Sequence, residues 1–217
     1  MSNPDSFIDE VTEEVRRDKL FAFFRRYGWI GVVLALMIVG GAAFSEWQKA
    51  RHAATARAFG DALLVAVETP DPAARQAALA AVVPTGQNVI VQQFLIAANA
   101  VEQKDKPAAA AALTALAADA SLPQSYRDLA TLKLVLLAGA EMPAADRIAK
   151  LQDVATPGRP FRPFALEQVA MVELESGDTE AAIGHLRAVL QEPLVSQALQ
   201  SRVSQVMVAL GADPAAE

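Results

Sequence analysis

The chain has 217 residues, enough for one membrane span and one soluble domain with its own apolar core, and too few for a second large domain. Hydrophobic residues make up 53% and aromatics only 6%, with Ala, Leu and Val in place of the β-branched and aromatic residues of sheets, so the composition favours helix. The net charge of -6 is spread without the basic stripe of a nucleic-acid binder, and the lack of cysteine removes disulfides, thiolate nucleophiles and Cys-based zinc sites.

The first segment, 1–26, sets Ile8, Val11, Val15, Leu20, Phe21, Phe23 and Phe24 among charged neighbours at helical spacing. It predicts a partly amphipathic helix, acidic at its start and basic at its end, lying in the cytoplasm or at the membrane interface.

Residues 27–44 read YGWIGVVLALMIVGGAAF, with no ionisable group except the Tyr27 phenol. At about 1.5 Å per residue this run crosses the hydrocarbon of a bilayer, and Trp29 and Trp47 fall where indoles settle at the two headgroup levels. The expected transmembrane helix is 27–47. Arg16, Arg17, Lys19, Arg25 and Arg26 precede it, against Lys49, Arg51 and Arg57 after it, which places the N-terminus in the cytoplasm and the rest outside. Gly41-Ala42-Ala43 offers a signal-peptidase-like site. However, the preceding 26 residues carry six carboxylates, unlike a short basic n-region, so the span is expected to be retained as an anchor.

From 48 to 217 the chain alternates Ala-rich periodic stretches with breaks at Pro70-Asp71-Pro72, Pro84-Thr85-Gly86, Lys104 to Pro107, Gly139 to Pro143, Pro157 to Pro163, Gly177-Asp178 and Pro193. The segments between breaks have the length of helices, and none alternates with the period of a strand. Three of the breaks open similarly: Lys106-Pro107-Ala108-Ala109, Met142-Pro143-Ala144-Ala145 and Thr179-Glu180-Ala181-Ala182, at offsets of 36 and 37 residues. Proline suits a first helical turn, and paired alanines let a helix approach its partner closely. A helix pair repeated at this period is close to the tetratricopeptide unit of about 34 residues. The last copy, 177–193, carries the fullest version, with Gly177-Asp178 at the turn, Ala182 at the helix contact, Leu186 and Leu190 on the core side and Pro193 at the exit.

The whole plan resembles the YfgM-like ancillary subunits of the SecYEG translocon: a charged lead, an aromatic and basic run over 21–26, the span, and an Ala-rich helix over 47–62 whose Ala54-Thr55-Ala56-Arg57-Ala58-Phe59 ends in an aromatic. The resemblance implies an inner-membrane protein whose periplasmic tetratricopeptide repeat-like domain meets translocon subunits, periplasmic chaperones or exported chains. The fold expected is all-α, a single N-terminal transmembrane helix followed by a tetratricopeptide repeat-like α-solenoid.

No catalytic constellation is legible. His52 and His185 lie far apart without spaced carboxylate partners, and no phosphate-binding glycine loop, GxSxG elbow or HExxH occurs. The carboxylates Glu173, Glu175, Asp178 and Glu180 read as a solvated face. No cofactor, metal, nucleic acid or small-molecule substrate is therefore expected, and a protein-binding scaffold is favoured over an enzyme. The first helices of the pairs, 45–68, 88–103, 124–138 and 164–175, would line the inner surface of the array, where Phe94, Tyr126, Arg127, Phe161, Arg162 and Phe164 are candidate contacts because aromatics and arginine carry much interface energy. An accessory or assembly subunit of another inner-membrane complex, such as a respiratory one, fits the same plan.

Overall fold

The computed structural model describes residues 4–193 and 195–215, without the side chains of 4–24, 28 and 32. The amphipathic face expected of segment 1–26 lies almost wholly outside the described residues. Nine α-helices and two short 3-10 turns make up the described chain, and no strand occurs among these residues. The helices are α1 (Pro4–Val67), α2 (Pro72–Ala81), α3 (Val89–Glu102), α4 (Lys106–Ala118), α5 (Gln124–Ala138), α6 (Ala144–Val154), α7 (Arg162–Glu175), α8 (Thr179–Gln191) and α9 (Gln197–Ala209). The chain forms two compact units, Met1–Ala58 and Phe59–Glu217.

The first unit is helix α1 as far as Ala58. Every described side chain over 25–58 is exposed, including Trp29 at 64%, Leu36 at 66% and Phe44 at 62%. α1 is also the one helix among the described residues that is long and apolar enough to cross a membrane, the mark of a membrane span or a signal sequence. Water alone does not tolerate an apolar surface of that extent on a stable helix.

The second unit is a run of helix pairs in which each helix packs on the next in sequence. Leu63 and Ala66 at the end of α1 share a core cluster with Leu79 of α2, α3 packs on α4, α5 on α6 and α7 on α8, and α9 packs on α8. The expected openings at 107, 143 and 180 are the first turns of α4, α6 and α8. A fourth opening, Asp71-Pro72-Ala73-Ala74, starts α2 in the same way. Asp71, Asp105 and Asp178 cap α2, α4 and α8, accepting from the backbone N–H of Ala74, Ala108 and Ala181 at 2.7, 3.0 and 3.1 Å. Each cap satisfies one of the N–H groups that a helix start leaves without an intrahelical partner.

The elements also recur on a longer period. α2 begins at Pro72 and α6 at Ala144, α3 at Val89 and α7 at Arg162, α4 at Lys106 and α8 at Thr179, α5 at Gln124 and α9 at Gln197, a shift of 72 or 73 residues throughout. Details follow the same shift. α3 ends with Lys104 N–H on the Val101 carbonyl and Asp105 N–H on that of Ala100, and α7 ends with Gly177 on Leu174 and Asp178 on Glu173. Lys104 and Gly177 both sit at positive φ, 61° and 84°, the left-handed residue of a Schellman ending. Arg75 of α2 pairs with Glu102 at the end of α3 at 2.8 Å, and Arg147 of α6 pairs with Glu175 at the end of α7 at 2.6 Å.

Burial follows helical spacing. On α8, Ala182, Leu186 and Val189 lie at i, i+4 and i+7 and are all fully buried, as the sequence of the last copy requires for Ala182 and Leu186. They belong to the largest core cluster, which runs from Leu132 and Val135 of α5 through α6, α7 and α8 to Val203 and Met207 of α9. Burying each Leu or Val contributes about 1.5–3 kcal/mol. Buried polar side chains in α3 serve the helix before them: Gln92 Nε2 donates to the Leu79 carbonyl at 2.8 Å, and Asn99 Nδ2 to the Pro72 carbonyl at 3.1 Å. The Leu79 carbonyl is among the last four of α2, which have no intrahelical partner, so Gln92 satisfies it.

Of the carboxylates expected on a solvated face, Glu175, Asp178 and Glu180 are exposed and Glu173 is half-buried, and three of the four also make structural contacts. Glu173 bonds His185 Nδ1 at 2.8 Å, Glu175 holds Arg147 and Asp178 is the cap of α8. Their partners lie on neighbouring helices or in the backbone, which proximity along the sequence does not reveal.

Candidate protein-binding groove

α3 and α5 are the first helices of successive pairs, and an apolar groove of about 430 Å³ opens between them. Phe94, Ala97, Ala98 and Val101 form its α3 wall, at i, i+3, i+4 and i+7, which is a single face of that helix. Lys133, Leu136 and Leu137 form the α5 wall at the same spacing, and Leu113 of α4 closes the floor. Ala97 and Leu113 are buried at 4% and 3%, so the floor is packed, whereas Val101 and Leu136 on the rim are 50% and 53% exposed. Small alanines on α3 leave the hollow; a larger residue at Ala98 would fill it.

Lys133 is exposed on the rim and makes no ion pair among the described residues. The groove therefore presents a closed apolar floor, two half-exposed aliphatic side chains and one free cation. That set can receive apolar side chains of an extended segment or helix and pair with an acidic group beside them. A second open hollow of about 400 Å³ lies between α4 and α5, lined by Pro107, Ala110, Leu134 and Leu137, with the exposed Lys106–Glu141 ion pair on its rim.

The six side chains singled out from the sequence fall in three places. Phe94 is half-buried in the groove wall and also packs on the core beneath it. Tyr126 is 42% exposed on the first turn of α5, where Arg127 Nη2 donates to Gln124. Phe161, Arg162 and Phe164 gather at the start of α7. Phe161 packs against the large core, Arg162 pairs with Glu192 at 2.5 Å and donates to the Ala155 carbonyl, and Phe164 is 39% exposed. Val101, Lys133 and Leu136 escaped sequence reasoning because their spacing is that of a core face; only the alanines opposite them mark the surface as hollow.

Among the described residues no three His, Asp or Glu side chains come together as a metal site. The model of the tetratricopeptide repeat-like domain family matches residues 22–158, most of the chain and the whole of the groove. The chain belongs to this tetratricopeptide repeat-like family. Such domains act by holding other proteins, and this chain is accordingly a protein-interaction scaffold. The matched stretch begins inside the N-terminal part of α1, so the family pattern takes in the apolar run together with the first repeats. α7, α8 and α9 lie beyond it, yet they repeat α3, α4 and α5 at the same shift. No curated protein and no solved structure matches the chain.

Proposed function

We propose that the protein is an ancillary subunit of the protein translocon of a bacterial inner membrane, anchored by α1 with its N-terminus in the cytoplasm, its repeat domain holding periplasmic chaperones or newly exported chains. The groove between α3 and α5 carries the reading, because half-exposed Val101 and Leu136 beside the free Lys133 suit an apolar segment with a nearby acidic group. The exposed apolar stretch of α1 and the basic excess before it support the anchor and its orientation. The resemblance to YfgM-like subunits, on the order of lead, span and Ala-rich first repeat helix, supports the translocon.

The test is affinity purification of the full chain from membranes in mild detergent, beside the Leu136→Asp variant. The intact protein is expected to bring down translocon subunits and periplasmic chaperones. Leu136→Asp should lose the chaperones or exported chains tenfold or more, since a carboxylate replaces a side chain whose burial is worth about 1.5–3 kcal/mol. Recovery of respiratory subunits instead would make the protein an accessory subunit of that other complex. Identical recovery by both forms would remove the groove from the account.

A further inference from the structure

In a chain of net charge -6, residues 47–60 carry Lys49, Arg51 and Arg57 and no carboxylate. They follow the apolar run after Ser45 and Glu46, and all described side chains over 45–58 are exposed. On one face of this part of α1 the Arg51 guanidinium stands over the Trp47 ring, with Cζ 4.8 Å from the ring centroid. The Phe44 ring is tilted against the same indole at 5.9 Å. Phe44, Trp47, Gln48, Arg51, His52 and Thr55 line a shallow hollow of about 390 Å³ on that face.

The charges around Arg51 are otherwise accounted for. Glu46 is taken by Lys49 at 2.9 Å, and the Thr55 hydroxyl donates to the Arg51 carbonyl at 3.1 Å. The Arg51 guanidinium itself makes no hydrogen bond or ion pair among the described residues. A guanidinium stacked on an indole is held in one orientation while the N–H groups along its edge stay free, and their fork matches the two oxygens of a phosphate.

We infer that this face of α1 binds the phosphate of an anionic phospholipid headgroup, with Arg51 as the ligand, Trp47 as the platform that orients it and Phe44 as the apolar contact to the acyl chain below. The inference rests on the reading of α1 as a membrane span. Charge complementarity and continuity with the apolar run both name the bilayer surface as the occupant. A cation at an anionic surface is worth about fivefold in lipid preference, and the Arg51 fork adds to the general attraction that Lys49 and Arg57 provide. The result is a protein that keeps anionic lipid beside the point where its helix leaves the bilayer.

Trp29 and Trp47 are the only tryptophans, so Trp29→Phe leaves Trp47 as sole reporter and Trp47→Phe leaves Trp29. The full chain is reconstituted in vesicles of equal phosphatidylcholine and phosphatidylglycerol, with bromine on the acyl chains of one lipid or the other, and quenching of emission is read. Brominated phosphatidylglycerol should quench Trp47 at least about twofold more than brominated phosphatidylcholine. Arg51→Gln should bring that ratio close to one, and Arg51→Lys, which keeps the charge without the planar fork, should leave it between. Equal quenching of Trp47 by both lipids in the parent, or a preference that survives Arg51→Gln, overturns the site while Trp29 quenching still upholds the span. If neither lipid quenches Trp29, the span and the site fall together.

Discussion

Arg159, in the loop between α6 and α7, donates from Nη1 to Oδ1 of Asp128 at 2.7 Å, and Asp128 is a carboxylate of α5 that is only 1% exposed. The same oxygen accepts from Gln124 Nε2 at 2.7 Å, and the other arm of the guanidinium reaches Asp153 at 3.4 Å. The long Pro157 to Pro163 connection, which in the sequence only lengthens the repeat spacing, is thus pinned to the helix two elements before it.

Asp128→Ala removes the buried partner and leaves Arg159, 23% exposed, with only the distant Asp153. The loss should be about 3 kcal/mol, the low end for breaking a buried pair, because Arg159 retains access to water. Urea unfolding of the repeat domain measures it. An unchanged midpoint would show that the loop is held by packing of Phe161 alone.

Lys104 holds the left-handed position that Gly177 holds at the equivalent helix end, with φ of 61° and 84°. A Cβ in that conformation is strained, so Lys104→Gly should stabilise by about 0.5–1 kcal/mol, and Gly177→Ala should destabilise by about 1 kcal/mol. Thermal midpoints moving in opposite directions confirm the shared Schellman geometry. Loss of stability in Lys104→Gly would argue that the lysine side chain contributes more than its backbone costs.

Ala182 is wholly buried, as is Ala109 one long period earlier. Ala182→Trp should cost about 1 to 3 kcal/mol by overpacking α7 against α8, or more if the pair separates. A midpoint equal to that of the parent would place this alanine outside the core and break the register of the last repeat.

Much of this architecture is legible in the sequence. The breaks and the paired alanines at 108, 144 and 181 give the helix pairs, because proline, capping aspartate and small contact residues act locally. The long period is not legible in the sequence. A few equivalent positions keep the same residue, Ala109 with Ala182 and Leu113 with Leu186, but others differ, Leu116 with Val189, and the matching backbone at Lys104 and Gly177 is hidden by unlike side chains. The groove was invisible for a related reason. Val101 follows buried Ala97 by four residues and Leu136 follows buried Leu132 by four, the spacing of a core face, and whether a neighbouring helix covers them is decided in three dimensions. Ion pairs on buried carboxylates, such as Asp128 with Arg159 and Glu167 with Arg202, join residues 31 and 35 positions apart and leave no trace in local pattern.

The topology is testable directly. Proteolysis of intact spheroplasts should digest the chain beyond about residue 47 and leave a small protected N-terminal fragment, as the excess of basic residues before the apolar run requires. Protection of the whole repeat domain would reverse the orientation.

The claim at the centre of the account is that the α3–α5 groove holds protein partners while α1 holds the chain in the membrane. A photo-crosslinking amino acid at Leu136, on the groove rim, and at Gln200, exposed on α9 away from the groove residues, compares the two surfaces in intact membranes. The account predicts discrete crosslinked species from position 136, identifiable as translocon subunits, periplasmic chaperones or exported chains, several-fold stronger than from position 200 and abolished by Lys133→Glu with Val101→Asp. Equal crosslinking at the two positions, or none at 136, would contradict it.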